Sequence, residues 1–293
     1  MLLAWILFHT NLNELYASVG QFSIFQIIWL VFISFVIILT KALRFQIILT
    51  LYSVSIPFLK SLLIYGAGMF LGTITPGRLG DFSKIFYLKQ TSGCDFKKGL
   101  FVNVLDRLFD LGLLLIIALG AMYWILNFRG ILLYLIFLLI FFFMIILFRK
   151  RVGQYISAIF SKLFKVPLTV ADIEKIWNLK LLFPFIFTLI PYALIFYQMI
   201  FIANCTGFDI NPFYLVGTLT LGNLVSLLPI SISGLGTREA VFVVALSKIG
   251  LTAAQAVSLS LSFFLLNNFS ILMISLFLFL ILKPDQIREE NIL

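Results

Sequence analysis

The sequence predicts an all-α integral membrane protein with two inverted repeats, each in the order span, re-entrant hairpin, short helix, span. The first observation is composition: 62% of the 293 residues are hydrophobic and 11% are charged, whereas a soluble domain is near one quarter charged. The second is a pair of apolar segments, at 72–81 and 229–239, that carry proline, glycine and charge. The third is the distribution of basic residues among the loops.

We assign residues 1–293 to a single transmembrane domain. Repeat one covers about 22–126, repeat two about 181–282, and a basic cytoplasmic connector lies at 149–180 between them.

Repeat one begins after a short apolar stretch. Residues 1–8 are too few to cross the membrane, since a crossing takes about 20 residues, and we expect the stub of a first helix there. Residues 22–40 predict a span that Lys41 and Arg44 close, and residues 45–52 continue its helix toward the interface.

The next segment predicts a re-entrant hairpin. Residues 57–71 are short for a crossing and carry Gly66 and Gly68. They lead into the first broken segment at 72–81, where proline and glycine free polar backbone groups. Residues 81–90 then predict a short amphipathic helix, and residues 99–126 predict a long span.

A turn at 127–130 and a span at 131–148 lead to the connector at 149–180. The connector combines an apolar helical face with a basic opposite face. It is either an amphipathic helix lying on the membrane or simply a basic link between the repeats. Both interpretations place it in the cytoplasm.

Repeat two predicts the same order of elements. Residues 181–205 predict a span that Pro184 and Pro191 interrupt. The later elements are an apolar helix at 212–228, the second broken segment at 229–239, a short helix at 237–249 and a last span at 251–282.

The basic loops fix the predicted orientation. With the connector inside, the basic loop at 91–98 and the C-terminus with Lys283 and Arg288 are also cytoplasmic, and the loop at 206–211 is outside. The first hairpin then enters from the cytoplasm and the second from outside. Such inverted repeats place a substrate site at the bilayer midplane. We expect a multi-pass protein of the plasma (inner) membrane.

The two broken segments have the residues of an anion site. A helix that starts after each break would point unpaired N–H groups and a positive dipole end into a cavity. Arg78 and Arg238 would bind a phosphate, because a guanidinium grips phosphate oxygens in pairs. Asp81 and Glu239 would balance these charges in the empty site, or hold a proton or cation in the full one.

Structural alternatives accompany each of these residues. Arg78 and Asp81 could sit at the cytoplasmic interface and end the hairpin there. Asp106 and Asp110 share a helical face at i and i+4, and with Arg107 they either join the site or clamp the hairpin.

Two asparagines at membrane depth, Asn267 and Asn268, are expected to join helices by hydrogen bonds.

The sequence contains no metal-ligand spacing, nucleophile elbow or phosphate-binding loop. We therefore expect no enzyme activity, no cofactor and no metal. The net charge of +9 indicates topology and contact with anionic headgroups rather than nucleic acid. Cys94 and Cys205 fall on opposite predicted sides, so we expect no disulfide.

Three motifs resemble the lysylphosphatidylglycerol synthase transmembrane (flippase-like) family over nearly the whole chain, from about residue 10. The run Pro76-Gly-Arg-Leu-Gly-Asp81 resembles the family's Pro-Gly-Arg-x-Gly-Glu, with aspartate for glutamate. The run Asp106-Arg-Leu-Phe-Asp110 resembles its Glu-Arg-x-x-Asp. Residues 229–239 resemble its Pro-rich Gly-Gly-x-Gly-x-x-Glu segment, with Ser233 where glycine is usual and the second proline missing.

The resemblance implies transport or flipping of a lipid between leaflets, without the soluble synthase domain of the fused members. The expected substrate is an anionic phospholipid or a polyprenyl-phosphate-linked sugar. The expected substrate-binding residues are Pro76, Gly77, Arg78, Gly80, Asp81, Asp106, Arg107, Asp110, Pro229, Gly234, Gly236, Arg238 and Glu239. Alternatives are a small-solute or ion secondary transporter, and a non-transporting partner of a lipid synthase or glycosyltransferase. An oligomer is compatible with all three.

Overall fold

The computed structural model describes residues 20, 22–126, 182–227, 231 and 233–282. Across these ranges the chain is helical and contains no β-strand, which confirms the all-α class. Several predictions lie outside the described residues: the stub at 1–8, the turn at 127–130, the span at 131–148, the connector at 149–180, Pro229, Lys283 and Arg288.

The first half contains a long helix, a short apolar helix, a break, a short helix and a second long helix. They are α1 (Ile24–Leu51), α2 (Phe58–Ile74), a 3₁₀ segment (Pro76–Phe82), α3 (Ser83–Ser92) and α4 (Phe96–Leu126). The Ser23 hydroxyl accepts from the Gln26 backbone N–H at 3.3 Å and starts α1 with a capping box. Gly93, in the left-handed region, ends α3.

The second half repeats this order. It contains α5 (Leu182–Cys205), α6 (Pro212–Val225), a break, α7 (Thr237–Leu246) with a 3₁₀ turn (Ser247–Ile249), and a last helical stretch. That stretch is α8 (Ala253–Phe263), a π-helical segment (Phe264–Phe269) and α9 (Ser270–Ile281). Asn211 caps α6, and Pro212 occupies its first turn, where the missing N–H of proline costs no helical hydrogen bond.

The interruption predicted at Pro184 and Pro191 is wrong. Pro184 lies in the first turn of α5, where N–H groups have no helical partner. Pro191 lies inside α5, yet the helix continues to Cys205. Packing of the apolar faces of α5 against the rest of the bundle outweighs the single lost hydrogen bond.

Within the described ranges, three helices are long and apolar enough to cross a membrane: Ile24–Leu51, Phe183–Cys205 and Ala253–Ile281. The helices Phe58–Ile74 and Pro212–Val225 are apolar but shorter. Their 17 and 14 residues fall below the length of about 20 that a crossing takes.

Each short apolar helix forms a hairpin with the segment that follows it. We call residues 58–82 the first hairpin and residues 212–246 the second hairpin. In the first, a Cβ on Gly72 would lie 3.2 Å from Asp81 Cβ. In the second, a Cβ on Gly222 would lie 2.8 Å from Arg238 Cγ. In both, the glycine lets the returning segment approach the helix closely.

The two hairpins start beside different ends of the long helices. The first starts beside the end of α1, where Gln46 Nε2 donates to the Ile56 carbonyl at 2.9 Å. The second starts and ends beside the far end of α4, where a Cβ on Gly217 would lie 2.9 Å from Ile125 Cδ1 and Lys248 Nζ donates to the Ile125 carbonyl at 3.2 Å. Two main apolar cores, one around each hairpin, hold the bundle together.

Candidate functional site

A cavity of about 330 Å³ lies where the two hairpins approach each other. Its wall takes residues from both hairpins and from the long helices α1, α4 and α5 and the π-helical segment. The predicted site residues on this wall are Gly77, Arg78, Asp81, Arg107, Asp110 and Arg238.

The other predicted site residues in the described ranges are not on the wall. They are Pro76, Gly80, Asp106, Gly234, Gly236 and Glu239. They either form the turns of the hairpins or contact residues that line the cavity.

The break in the first hairpin depends on two residues with positive φ. Gly77 has φ 60° and Arg78 has φ 57°, and between α2 and α3 they turn the chain back. Gly80 then lies so close to the Leu71 carbonyl that no side chain fits there. The Thr75 hydroxyl accepts from the Gly80 N–H at 2.7 Å and secures the turn.

Arg78 is exposed and lines the cavity. It forms no ion pair with any residue in the described ranges. The sequence interpretation, in which Asp81 balances Arg78, is therefore wrong about the partner.

Asp81 instead pairs with cations on α3 and α4. Its carboxylate is 2% exposed, lies 3.2 Å from Lys84 Nζ, and forms an ion pair with Arg107. Neither carboxylate oxygen accepts a well-directed hydrogen bond from a described residue. The contact between Arg107 and Asp81 is the clamp between α4 and the first hairpin that the sequence left open as an alternative.

Arg44 is the centre of a buried charge network. Its guanidinium lies 2.6 Å from Asp106 Oδ1 and 2.6 Å from Asp110 Oδ1, and it donates to the Thr188 hydroxyl at 3.1 Å. Lys41 Nζ lies 3.2 Å from Asp110 Oδ2. These contacts join α1, α4 and α5 in the buried interior, where an unpaired charge would be strongly unfavourable.

Lys41, Arg44 and Lys84 were missed as site residues. The sequence placed Lys41 and Arg44 at the end of the first span, but both are buried. A signal was present: two cations at i and i+3 within apolar sequence require carboxylate partners, and Asp106 and Asp110 form a matching pair. Lys84, expected on an amphipathic helix, is also buried and lies 3.5 Å from Asp106.

The second hairpin holds its charges as an isolated pair. Arg238 Nη2 lies 3.2 Å from Glu239 Oε1, and both residues are 1% exposed. Ser260 on α8 joins the pair, since its hydroxyl donates to Glu239 at 2.8 Å and accepts from Arg238 Nε at 3.1 Å. The guanidinium also stacks near the rings of Phe263 and Phe264.

The helix N-terminus after the second break is not an open anion site, contrary to expectation. Glu239 Oε2 accepts from the Gly236 N–H at 2.5 Å, so the chain's own carboxylate takes that position. The φ of 90° at Gly236 and of 76° at Gly234 permits this turn. This Gly236 N–H is therefore already satisfied within the chain, and Arg238 is the cation that the second hairpin contributes to the cavity wall.

The tips of the two hairpins touch. The Ser233 hydroxyl donates to the Thr73 carbonyl at 2.6 Å, and both residues line the cavity. Ser233 adopts a φ of 53°, which a glycine would adopt without strain. This bond connects the second broken segment to the end of α2.

Asn267 joins helices as the sequence indicated. Its amide donates to Gln198 on α5, and Gln198 Nε2 donates to the Leu30 carbonyl at 2.7 Å and to the Ser34 hydroxyl at 3.1 Å. This chain of hydrogen bonds connects the π-helical segment through α5 to α1. Both asparagines line the cavity, but the Asn268 side chain forms no hydrogen bond to any residue in the described ranges.

A family model described as "Lysylphosphatidylglycerol synthase TM region" matches residues 1–275. The chain belongs to this family. The family match starts at residue 1 and not near residue 10, so the apolar stretch at 1–8 is part of it. No curated protein and no solved structure matches the chain. Membership of this membrane family is consistent with the three long apolar helices.

Proposed function

We propose that this member of the lysylphosphatidylglycerol synthase transmembrane family is a flippase-like lipid transporter. It moves the anionic headgroup of a phospholipid or polyprenyl-phosphate-linked lipid between leaflets of the plasma (inner) membrane, without catalysing a chemical step. The observation that carries this proposal is the shared cavity, to which each hairpin contributes an arginine, Arg78 and Arg238.

The charge on the cavity wall favours an anion. Among the described residues, the wall carries four cationic side chains and two carboxylates. The cations are Lys41, Arg78, Arg107 and Arg238, and the carboxylates are Asp81 and Asp110. Cations in excess at membrane depth are unfavourable unless a ligand balances them. A phosphate diester supplies one of the two missing negative charges.

The cavity is of a size that suits a headgroup and not a whole lipid. Its volume of about 330 Å³ is near the lower end of the range of about 300–1,000 Å³ for small-molecule sites. The acyl chains would therefore stay in the bilayer, and only the polar headgroup would need to be screened on its way across.

The hairpins support an inverted-repeat mechanism. They start beside opposite ends of the long helices and meet at Ser233 and Thr73. Broken helices that meet in this way are typical of transporters in which one repeat moves against the other. Under the proposed topology, each hairpin would open the shared cavity to one leaflet in turn.

The decisive test is transport by purified protein in vesicles that contain acyl-labelled fluorescent phosphatidylglycerol. An impermeant quencher added outside reports the fraction of label in each leaflet over time. Arg78→Ala is the best variant, since Arg78 is exposed and unpaired among the described residues, and its loss should leave the fold intact. We expect exchange to slow by about tenfold or more, the effect of losing a charge-assisted hydrogen bond.

Lys89→Ala is the matched control. Lys89 is an exposed cation on α3 that is not on the cavity wall, so this variant removes the same charge elsewhere. Wild-type vesicles that exchange lipid no faster than protein-free vesicles would contradict the proposal. Equal slowing by the two variants would attribute the effect to surface charge and would also contradict it.

A further inference from the structure

Besides its charges, the cavity wall carries three asparagine amides, Asn223, Asn267 and Asn268. Asn223 lies in the last turn of α6 (Pro212–Val225), and Asn268 lies in the π-helical segment (Phe264–Phe269). Both are half-buried. A π-helical turn inside an α-helix frequently occurs at a functional site. Here Asn267 and Asn268 both line the cavity, and Asn267 also donates to Gln198 on α5.

The Asn223 and Asn268 amides differ from the Asn267 amide and from the serine and threonine hydroxyls of the wall in their hydrogen bonds. The hydroxyls of Ser226 and Ser233 each donate to a backbone carbonyl at 2.6 Å, and Asn267 donates to Gln198. The side chains of Asn223 and Asn268 form no hydrogen bond to any residue within the described ranges. Polar side chains between helices in a membrane normally find such a partner.

An unpaired amide presents two donors and a carbonyl acceptor to the cavity. A ligand hydroxyl matches it well, because a hydroxyl both donates and accepts. A ligand ammonium only donates, and it needs a carboxylate for charge balance. Both carboxylates on the wall already have cations: Asp81 has Arg107 and Lys84, and Asp110 has Lys41 and Arg44.

We propose that Asn223 and Asn268 form a subsite that selects anionic lipids with a hydroxyl-bearing headgroup, such as glycerol or a sugar, over lipids with an amine. This inference rests on the proposed transport function and names the class of its substrate. The phosphate lies against the arginines, and the hydroxyls of the headgroup lie against the two amides.

The test uses three acyl-labelled lipids in the vesicle assay. Phosphatidylglycerol has the charge and the hydroxyls, phosphatidylethanol has the charge alone, and phosphatidylethanolamine has an amine. We expect wild-type protein to move phosphatidylglycerol about tenfold faster than phosphatidylethanol, since an analogue lacking the hydroxyls leaves the site's polar groups unpaired. Phosphatidylethanolamine should be slower than both.

Asn223→Leu and Asn268→Leu should reduce the rate for phosphatidylglycerol to that for phosphatidylethanol, and leave the rate for phosphatidylethanol unchanged. Asn204→Leu is the control, because Asn204 is exposed at the end of α5 and is not on the cavity wall. A structural role for the asparagines would instead slow both lipids together and would overturn the assignment.

The outcomes distinguish a failure of this inference from a failure of the proposed transport function. If wild-type protein moves phosphatidylglycerol and phosphatidylethanol at equal rates, the subsite is wrong and lipid transport stands. If it moves phosphatidylethanolamine fastest, the substrate class is wrong. If it moves none of the three, the transport function itself fails, and the subsite fails with it.

Discussion

The two hairpins come from similar sequence patterns but hold their charges differently. In the first, the arginine of the break is exposed and unpaired within the described ranges, and its carboxylate Asp81 pairs with Arg107 and Lys84 from neighbouring helices. In the second, Arg238 and Glu239 are buried together and pair with each other. The first hairpin is part of a network that crosses several helices, whereas the second is nearly self-contained.

The two arginines lie at different positions relative to their breaks. Arg78 lies within the first break with a φ of 57°, and Asp81, three residues later, pairs with Lys84 and Arg107 instead. Arg238 lies in the first turn of α7, where Arg238 and Glu239 both hydrogen-bond to the Ser260 hydroxyl of α8. The first hairpin therefore offers a cation that is ready for a ligand, and the second offers one that already has a partner.

The largest expected effect concerns the side of the membrane from which each hairpin enters. Ser55→Cys and Asp209→Cys place thiols in exposed loops before the first and second hairpins. In a Cys205→Ala background, an impermeant maleimide should label Ser55→Cys only in inside-out vesicles and Asp209→Cys only in intact cells, because basic loops stay in the cytoplasm.

Cys94 is retained in this experiment because we expect the maleimide to label it only weakly. Burial raises the pKa of the Cys94 thiol and so lowers its reactivity. Labelling of both new cysteines from the same side would contradict the inverted topology. It would also contradict the prediction that one hairpin enters from the cytoplasm and the other from outside.

The next effect compares the buried charge network around Arg44 with the pair formed by Arg238 and Glu239. Arg44→Met leaves two buried carboxylates, Asp106 and Asp110, without their main cation, so we expect a loss of about 3–5 kcal/mol of stability. Arg238→Met should cost about 1–3 kcal/mol, because Glu239 keeps its bonds to the Gly236 N–H and the Ser260 hydroxyl.

Thermal unfolding in detergent micelles measures both variants, with Arg78→Met as the control that removes an exposed arginine. We expect Arg78→Met to unfold near the wild-type temperature. Equal destabilisation by Arg44→Met and Arg238→Met would mean that the second pair is as strongly integrated as the network.

The smallest expected effect concerns the contact between the hairpin tips. Ser233→Ala removes the hydrogen bond to the Thr73 carbonyl and keeps the strained φ, which should lower stability by about 1 kcal/mol. Ser233→Gly removes the same bond but relieves a strain of about 1–2 kcal/mol, so its unfolding temperature should equal or exceed that of Ser233→Ala. The reverse order would show that φ strain at this tip is negligible.

The sequence predicted the order of elements well and the pairing of side chains poorly. Helix positions followed from apolar length and the Pro/Gly breaks, both of which are local. The roles of Lys41 and Arg44 did not follow, because each depends on a carboxylate more than 60 positions away along the chain. From composition alone, such a cation is assigned to the end of a span, because composition does not show which distant residue pairs with it.

By itself, the sequence determined a helical membrane protein with two broken apolar segments, since hydrophobicity and helix-breaking residues act over a few turns. The tertiary structure decided which arginine stays free, which carboxylates are neutralised within the bundle, and which amides face the cavity. Those outcomes depend on how helices that are distant in sequence pack together. In a low-dielectric interior, a buried charge is stable only beside a partner that packing brings to it.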